Sequence, residues 1–209
     1  MERWKSRSHA TVLPSLILAG LMFSSCASGV KGGPVLLHPV PPRGAPYVLS
    51  QGALVFDGPG IRVIARPVDW RVAERDYGRE AGDLSNYIFF SLRFENSTDQ
   101  SIFFSPVRTT IYTQKRDFSV ALDLSDIYLM NRKDPGLEEK AKHFQKLSYD
   151  SSVTVRPGKS EERYLVFPVP TGRIKTIELT LDDLFVGSES LSLSFLFEAF
   201  PMEEKPSGP

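Results

Sequence analysis

Thiols are almost absent, since the 209 residues contain one cysteine, Cys26. A lone cysteine closes no intramolecular disulfide and cannot furnish a cysteine-based zinc site. Histidine is scarce too, with three in the chain. Beyond the first residues only His38 and His143 remain, and neither sits in a nucleophile motif such as G-x-S-x-G. Charge of either sign is not in excess, because 25 Lys and Arg balance 25 Asp and Glu. Without a basic surplus there is no electrostatic footprint for nucleic acid, and no such partner is expected. No apolar run approaches the roughly 20 residues that a helix needs to cross a bilayer. A glycine-rich phosphate loop is missing, because Gly58-Pro59-Gly60 is not followed by a lysine and a helix start. Hydrophobic residues make up 41% and charged residues 24%. That is the balance of an ordinary globular protein.

The N-terminus is organised differently from the rest. Arg3, Lys5 and Arg7 precede an apolar run of Val12–Phe23, which is too short to span a membrane. Ser24-Ser25-Cys26 follows, placing two small residues directly before the only cysteine. This pattern resembles the export signal and lipobox of bacterial lipoproteins, with Phe23 standing where an aliphatic residue is usual. The resemblance implies removal of residues 1–25 and acylation of Cys26. Two or more acyl chains, at about 0.8 kcal/mol per buried CH₂, hold a protein stably on a membrane. The expected location is the cell envelope, facing the periplasm or exterior, with the outer membrane preferred over the inner.

Residues 26–45 are rich in glycine and proline. They read as a semi-rigid tether, although Val35-Leu36-Leu37 could add an edge strand. Residues 46–201 read as one β domain. Apolar residues alternate at Ile88, Phe90, Leu92 and Phe94, and again at Leu191, Leu193, Phe195, Phe197 and Ala199, which is the strand period. Turn signals predict hairpins at 53–66, 86–104 and 107–124. Tyr164–Phe167, apolar on both faces, reads as a central strand. One helix is expected at Leu137–Leu147, with Asp134 as cap, Pro135 at its first turn, and acids early and bases late. The expected fold is therefore all-β, an immunoglobulin-like β-sandwich of seven to nine strands with one short connecting helix. Residues 202–209 read as a flexible tail. The segments FSLRFENSTDQSIFF (90–104) and VRPGKSEERYLVFPVP (155–170) resemble secreted lipoprotein domains of the telokin-type sandwich. That resemblance implies a fold and carries no functional residue with it.

Chemistry is hard to find. Asp123/Asp126 and Asp182/Asp183 lack the spacing of a calcium loop and read as turn carboxylates. No catalytic residue, metal site or cofactor is expected. The long connection at residues 67–85 carries Trp70, Arg75 and Tyr77, residue types that anchor protein interfaces. They are the candidate partner-binding residues, against the alternative that Trp70 plugs the core. The reading is a non-enzymatic, lipid-anchored module that binds a protein or envelope component. An envelope hydrolase using surface carboxylates and a purely structural spacer are the competing classes. Cys26→Ala is expected to release the chain from membranes. Fractionation after a salt wash checks this, and full retention of the variant would overturn the anchor.

Overall fold

The computed structural model describes residues 33–41, 44, 46–78, 83–130 and 136–202. The expected leader, Cys26, most of the tail, and the capping residues Asp134 and Pro135 lie outside the described residues.

The alternation in β5 (Tyr87–Asn96) shows why this chain builds sheets. Its Ile88, Phe90, Leu92 and Phe94 all point into one buried core, as period-two geometry demands. β4 (Ile61–Val68) and β10 (Ser160–Pro168) flank it antiparallel, with Val63 opposite Phe94 and Leu165 opposite Phe90. β3 (Ala53–Gly58) and β2 (Tyr47–Ser50) complete a five-stranded sheet in the order β10-β5-β4-β3-β2.

A seven-stranded sheet packs against it. Its spine is β12 (Glu189–Pro201) paired with β11 (Thr176–Val186). β1 (Val35–Pro39) lines the free edge of β12. The other edge of β11 takes two partners in succession. β7 (Thr110–Thr113) pairs with its first half and carries β8 (Phe118–Val120), while β6 (Ile102–Phe104) pairs with its second half and carries β9 (Val153–Val155). Asp182 and Asp183 form the irregularity between those halves. The extra residue of such a bulge re-aims side chains, so that Leu181 and Leu184 are both buried. Aromatic rings bridge the sheets, with Phe90–Phe197 and Phe94–Phe104 centroids each 4.9 Å apart. Tilted pairs at such separations suit the ring quadrupoles.

The all-β sandwich expected from the sequence is present, with differences in detail. Twelve strands are described rather than seven to nine, because β1, β2, β8 and β9 are three- to five-residue edges with little alternation to betray them. β1 lies within the expected tether, so the described domain opens at residue 35 rather than 46. The hairpins at 53–66 and 107–124 form, as β3–β4 and β7–β8. Residues 86–104 are not a hairpin, since β5 belongs to the small sheet and β6 to the large one. The reason is Asn96, buried where the chain crosses over. Its Nδ2 donates to the carbonyls of Gln100 and Val155 at 2.8 Å, and its Oδ1 accepts from Thr98 N and Oγ1. Those bonds turn the chain out of one layer and tie it to β9 in the other.

β10 is an edge strand rather than a central one. Its outer backbone is nevertheless served, as buried carbonyls require. Leu122 N and Tyr149 N donate to the carbonyls of Val166 and Tyr164 at 2.8 Å. Three α-helices are described where one was expected: α1 (Trp70–Tyr77), α2 (Leu124–Met130) and α3 (Leu137–Leu147). They lie on the outer face of the small sheet rather than across an end. None is long and apolar enough to cross a membrane.

Phe90→Ala and Phe195→Ala are each expected to cost about 3–5 kcal/mol. Asn96→Asp, nearly the same shape, replaces two donors with a buried acceptor and should cost about 2 kcal/mol. Thermal unfolding of the three variants checks both. Unchanged melting in the two phenylalanine variants would mean that the strand faces are inverted.

Candidate functional site

The small sheet has a second apolar face. Val68, Tyr87, Phe89, Tyr164 and Val166 point away from the main core, and an apolar sheet face must be covered. The helices supply the cover. α1 begins at Asp69, whose carboxylate accepts from Arg71 N at 2.9 Å and so caps the first turn. The Arg71 guanidinium also bonds that carboxyl and holds it below the usual carboxylate range. α1 stops at Gly78, where φ is 81°. Glycine adopts that backbone at no steric cost. Trp70, Ala73 and Tyr77 face the sheet, following the i, i+3, i+7 spacing of one helix face. α2 opens on reciprocal bonds, with Asp126 N donating to Asp123 Oδ1 and Asp123 N to Asp126 Oδ2, both at 3.0 Å. The Asp123/Asp126 pair is thus a helix-capping device. α3 buries Ala141 and Phe144 along the stripe that its sequence predicts.

The polar groups under this layer are mostly phenols. Tyr77 and Ser148 hydroxyls bond one another, and the Tyr164 hydroxyl donates to Asp76. Burial pushes the Tyr77 phenol well above its ordinary value, and the bond to Ser148 opposes this only in part. An apolar surround disfavours the charged form. Tyr164 moves the same way through burial and the adjacent Asp76. A phenol that stays protonated at neutral pH cannot take a proton from Ser148, so this pair is not an activated nucleophile. His143 faces outward and bonds Glu139 at 3.2 Å. His38 sits in β1, edge-on to Phe200.

Between the helices and the sheet lies a cavity of about 150 Å³. Phe89, Leu122, Ile127, Phe144 and Val166 make its apolar walls, and Asp83 and Lys140 add one charge of each sign. The volume suits a single aromatic or branched aliphatic group. Among the described residues the cavity brings in one carboxylate, that of Asp83, where glycoside hydrolysis uses a facing pair.

The three sequence-predicted residues do not share a surface. Tyr77 is 5% exposed and lines the cavity, while Arg75 lies on the exposed side of α1. Five residues of helix turn a side chain by about 140°, which is why Arg75 and Trp70 part company. Trp70 is half-buried against β1 and the end of β4, and its buried indole N–H has no hydrogen-bond partner among the described residues. Residues 70–77 of the long connection are a covering helix, and Tyr77 plugs more deeply than Trp70. Sequence reasoning missed Asp83, Leu122, Ile127 and Lys140. A capping Asp69 followed by apolar residues at 70, 73 and 77 was the available signal for α1.

No protein-family model matches the chain, and no curated protein matches its sequence. Among solved structures, the yjhA protein from Bacillus subtilis aligns with a TM-score of 0.39 at 9% identity, covering 67% of this chain and 93% of that one.

Tyr149 is buried with its hydroxyl on the carbonyls of Leu92 and Glu161, and burial raises its phenol as well. Four phenols with raised folded-state values, those of Tyr77, Tyr87, Tyr149 and Tyr164, favour the fold while both states stay protonated, below about pH 10. Above it the unfolded chain ionises first. Melting temperature is expected to hold steady on the alkaline side of neutrality and fall beyond about pH 10, less steeply in Tyr149→Phe. A profile that stays flat a full unit further would contradict this.

Proposed function

We propose that this chain is a lipid-anchored protein of the bacterial envelope, without enzymatic activity, whose sandwich binds a protein partner. The cavity between the helix layer and the small sheet is the observation that carries the binding role. A sheet face could be covered by close-packed helices, as protein interiors normally are. Here the cover leaves an apolar space the size of one side chain, with Asp83 and Lys140 on its wall. Apolar walls with a few polar groups are the usual make-up of a recognition pocket. Cys26, read as an acylated residue, supplies the attachment to the membrane. A partner presenting an aromatic or branched aliphatic side chain, flanked by a polar group, fits this surface.

Modest intrinsic affinity suffices for such a module. Two proteins confined to one membrane surface meet at high effective concentration. The test is crosslinking in intact cells with Ile127→Trp, which fills the cavity. The dominant crosslinked species should disappear while the melting temperature of the purified variant changes little. The same species at wild-type yield with the cavity filled would sink the pocket as the binding site.

A further inference from the structure

The chain enters the sandwich at one defined corner. Val35, the first residue of β1, stands opposite Pro201, the last of β12, and Met202 N donates to Pro34 O at 2.9 Å. The turn at 114–117 and the start of β11 share this end of the large sheet. Gln114 Nε2 donates to the Arg173 carbonyl at 2.8 Å, and its Oε1 accepts from Lys175 N at 3.0 Å. Side chains at this end are cationic and apolar. Lys115, Arg173 and Lys175 are exposed, and no ion pair among the described residues engages them. Arg116 pairs with Glu178 at 3.6 Å. Among the described residues, Asp117 and Glu198 are the exposed acids here. Leu36 and Phe200, register partners on the outer face, are 36% and 48% exposed. A depression of about 330 Å³ joins the two characters, lined by Arg173, Lys175, Thr176, Glu198, Phe200 and Pro201.

Cys26 precedes Val35 by nine residues. A fully extended segment of that length spans about 30 Å. This corner is therefore the part of the domain held nearest to an acylated Cys26. The far end, where β11 turns into β12 at Gly187, lies a whole strand length away. Its exposed charges include Asp57, Asp99 and Glu189 against Arg156 and Lys159, the opposite balance.

We propose that this corner of the larger sheet rests on the anionic phospholipid surface to which the chain is anchored. Lys115, Arg173 and Lys175 meet the phosphates, and Phe200 sits at headgroup depth. The inference rests on the lipid-anchor reading. Basic side chains near an anionic leaflet attract it, aromatic rings favour the interface, and a tether of this length makes even weak attraction effective. The domain then stands with its Gly187 end outward.

The test uses the full chain carrying Pro201→Cys or Ser188→Cys, each labelled with an environment-sensitive dye. Labelling of the unsubstituted chain reports the anchor separately, because an acylated Cys26 takes no dye. In phosphatidylcholine vesicles containing phosphatidylglycerol, the dye at 201 should be shielded from an aqueous quencher and the dye at 188 should not. Without phosphatidylglycerol, or with Arg173→Glu and Lys175→Glu together, the shielding at 201 should be lost. A chain that floats with the vesicles yet is quenched equally at both sites keeps its anchor and loses the docking face. Shielding that survives charge reversal also overturns the proposal. If Cys26 takes up dye, the anchor reading fails, and the same measurements on Cys26→Ala variants with excess vesicles judge the docking face alone.

Discussion

The side chain of Asn96 sits where the small sheet hands the chain to the large one, and the arrangement of everything downstream follows from it. Its amide reaches the carbonyls of Gln100 and Val155, and its own backbone exchanges bonds with Gly158 and Lys159. Ser97 N adds a bond to Gly60 O. Three turns from separate parts of the sequence are thereby joined at one end of the sandwich. With the crossover fixed, β6 can lie beside β11, and Phe104 can meet Phe94 across the core. A buried amide satisfied on every side gains in the low dielectric of the interior, whereas a half-satisfied one is costly. The position therefore tolerates little besides asparagine.

A second constraint operates on the outer face of the small sheet. The first residues of β5 and the last of β10 are apolar on both sides, so the sandwich has two cores, one between the sheets and one beneath the helices. The second core is thinner and mixes phenols with hydrocarbons. A cavity lies within it. The pocket walls come from hydrogen-bonded strands on one side and three helices on the other, which suits a preformed site.

What could be read from the sequence was what is local. The faces of β5 and β12 and the span of α3 each depend on residues within a dozen positions, and periodicity reports them directly. β1 could be offered only as an alternative, because Val35-Leu36-Leu37 becomes a strand through pairing with the far end of the chain, and strand formation depends on such context. The 86–104 segment looked like a hairpin because its turn is short and polar. Nothing local distinguishes a turn that closes a hairpin from one that crosses between layers, and the deciding partner of Asn96 is Val155. Trp70, Arg75 and Tyr77 were grouped by residue type, and helical geometry then separated them. The cavity was illegible, since its walls come from segments as far apart as Tyr77 and Val166.

The pairing of β1 with β12 also governs how the domain bears load. Any pull transmitted from the N-terminal segment enters at Val35 and runs along the axis of β1. Antiparallel bonds from Val35 to Pro39 lie across that direction. They would share the force in shear rather than open one after another like a zip. A chain entering at the other end of β1 and pulled back toward the same corner would peel the edge strand away bond by bond. The polarity of one five-residue strand therefore sets whether tension on the N-terminus is resisted by the whole ladder or by its last rung.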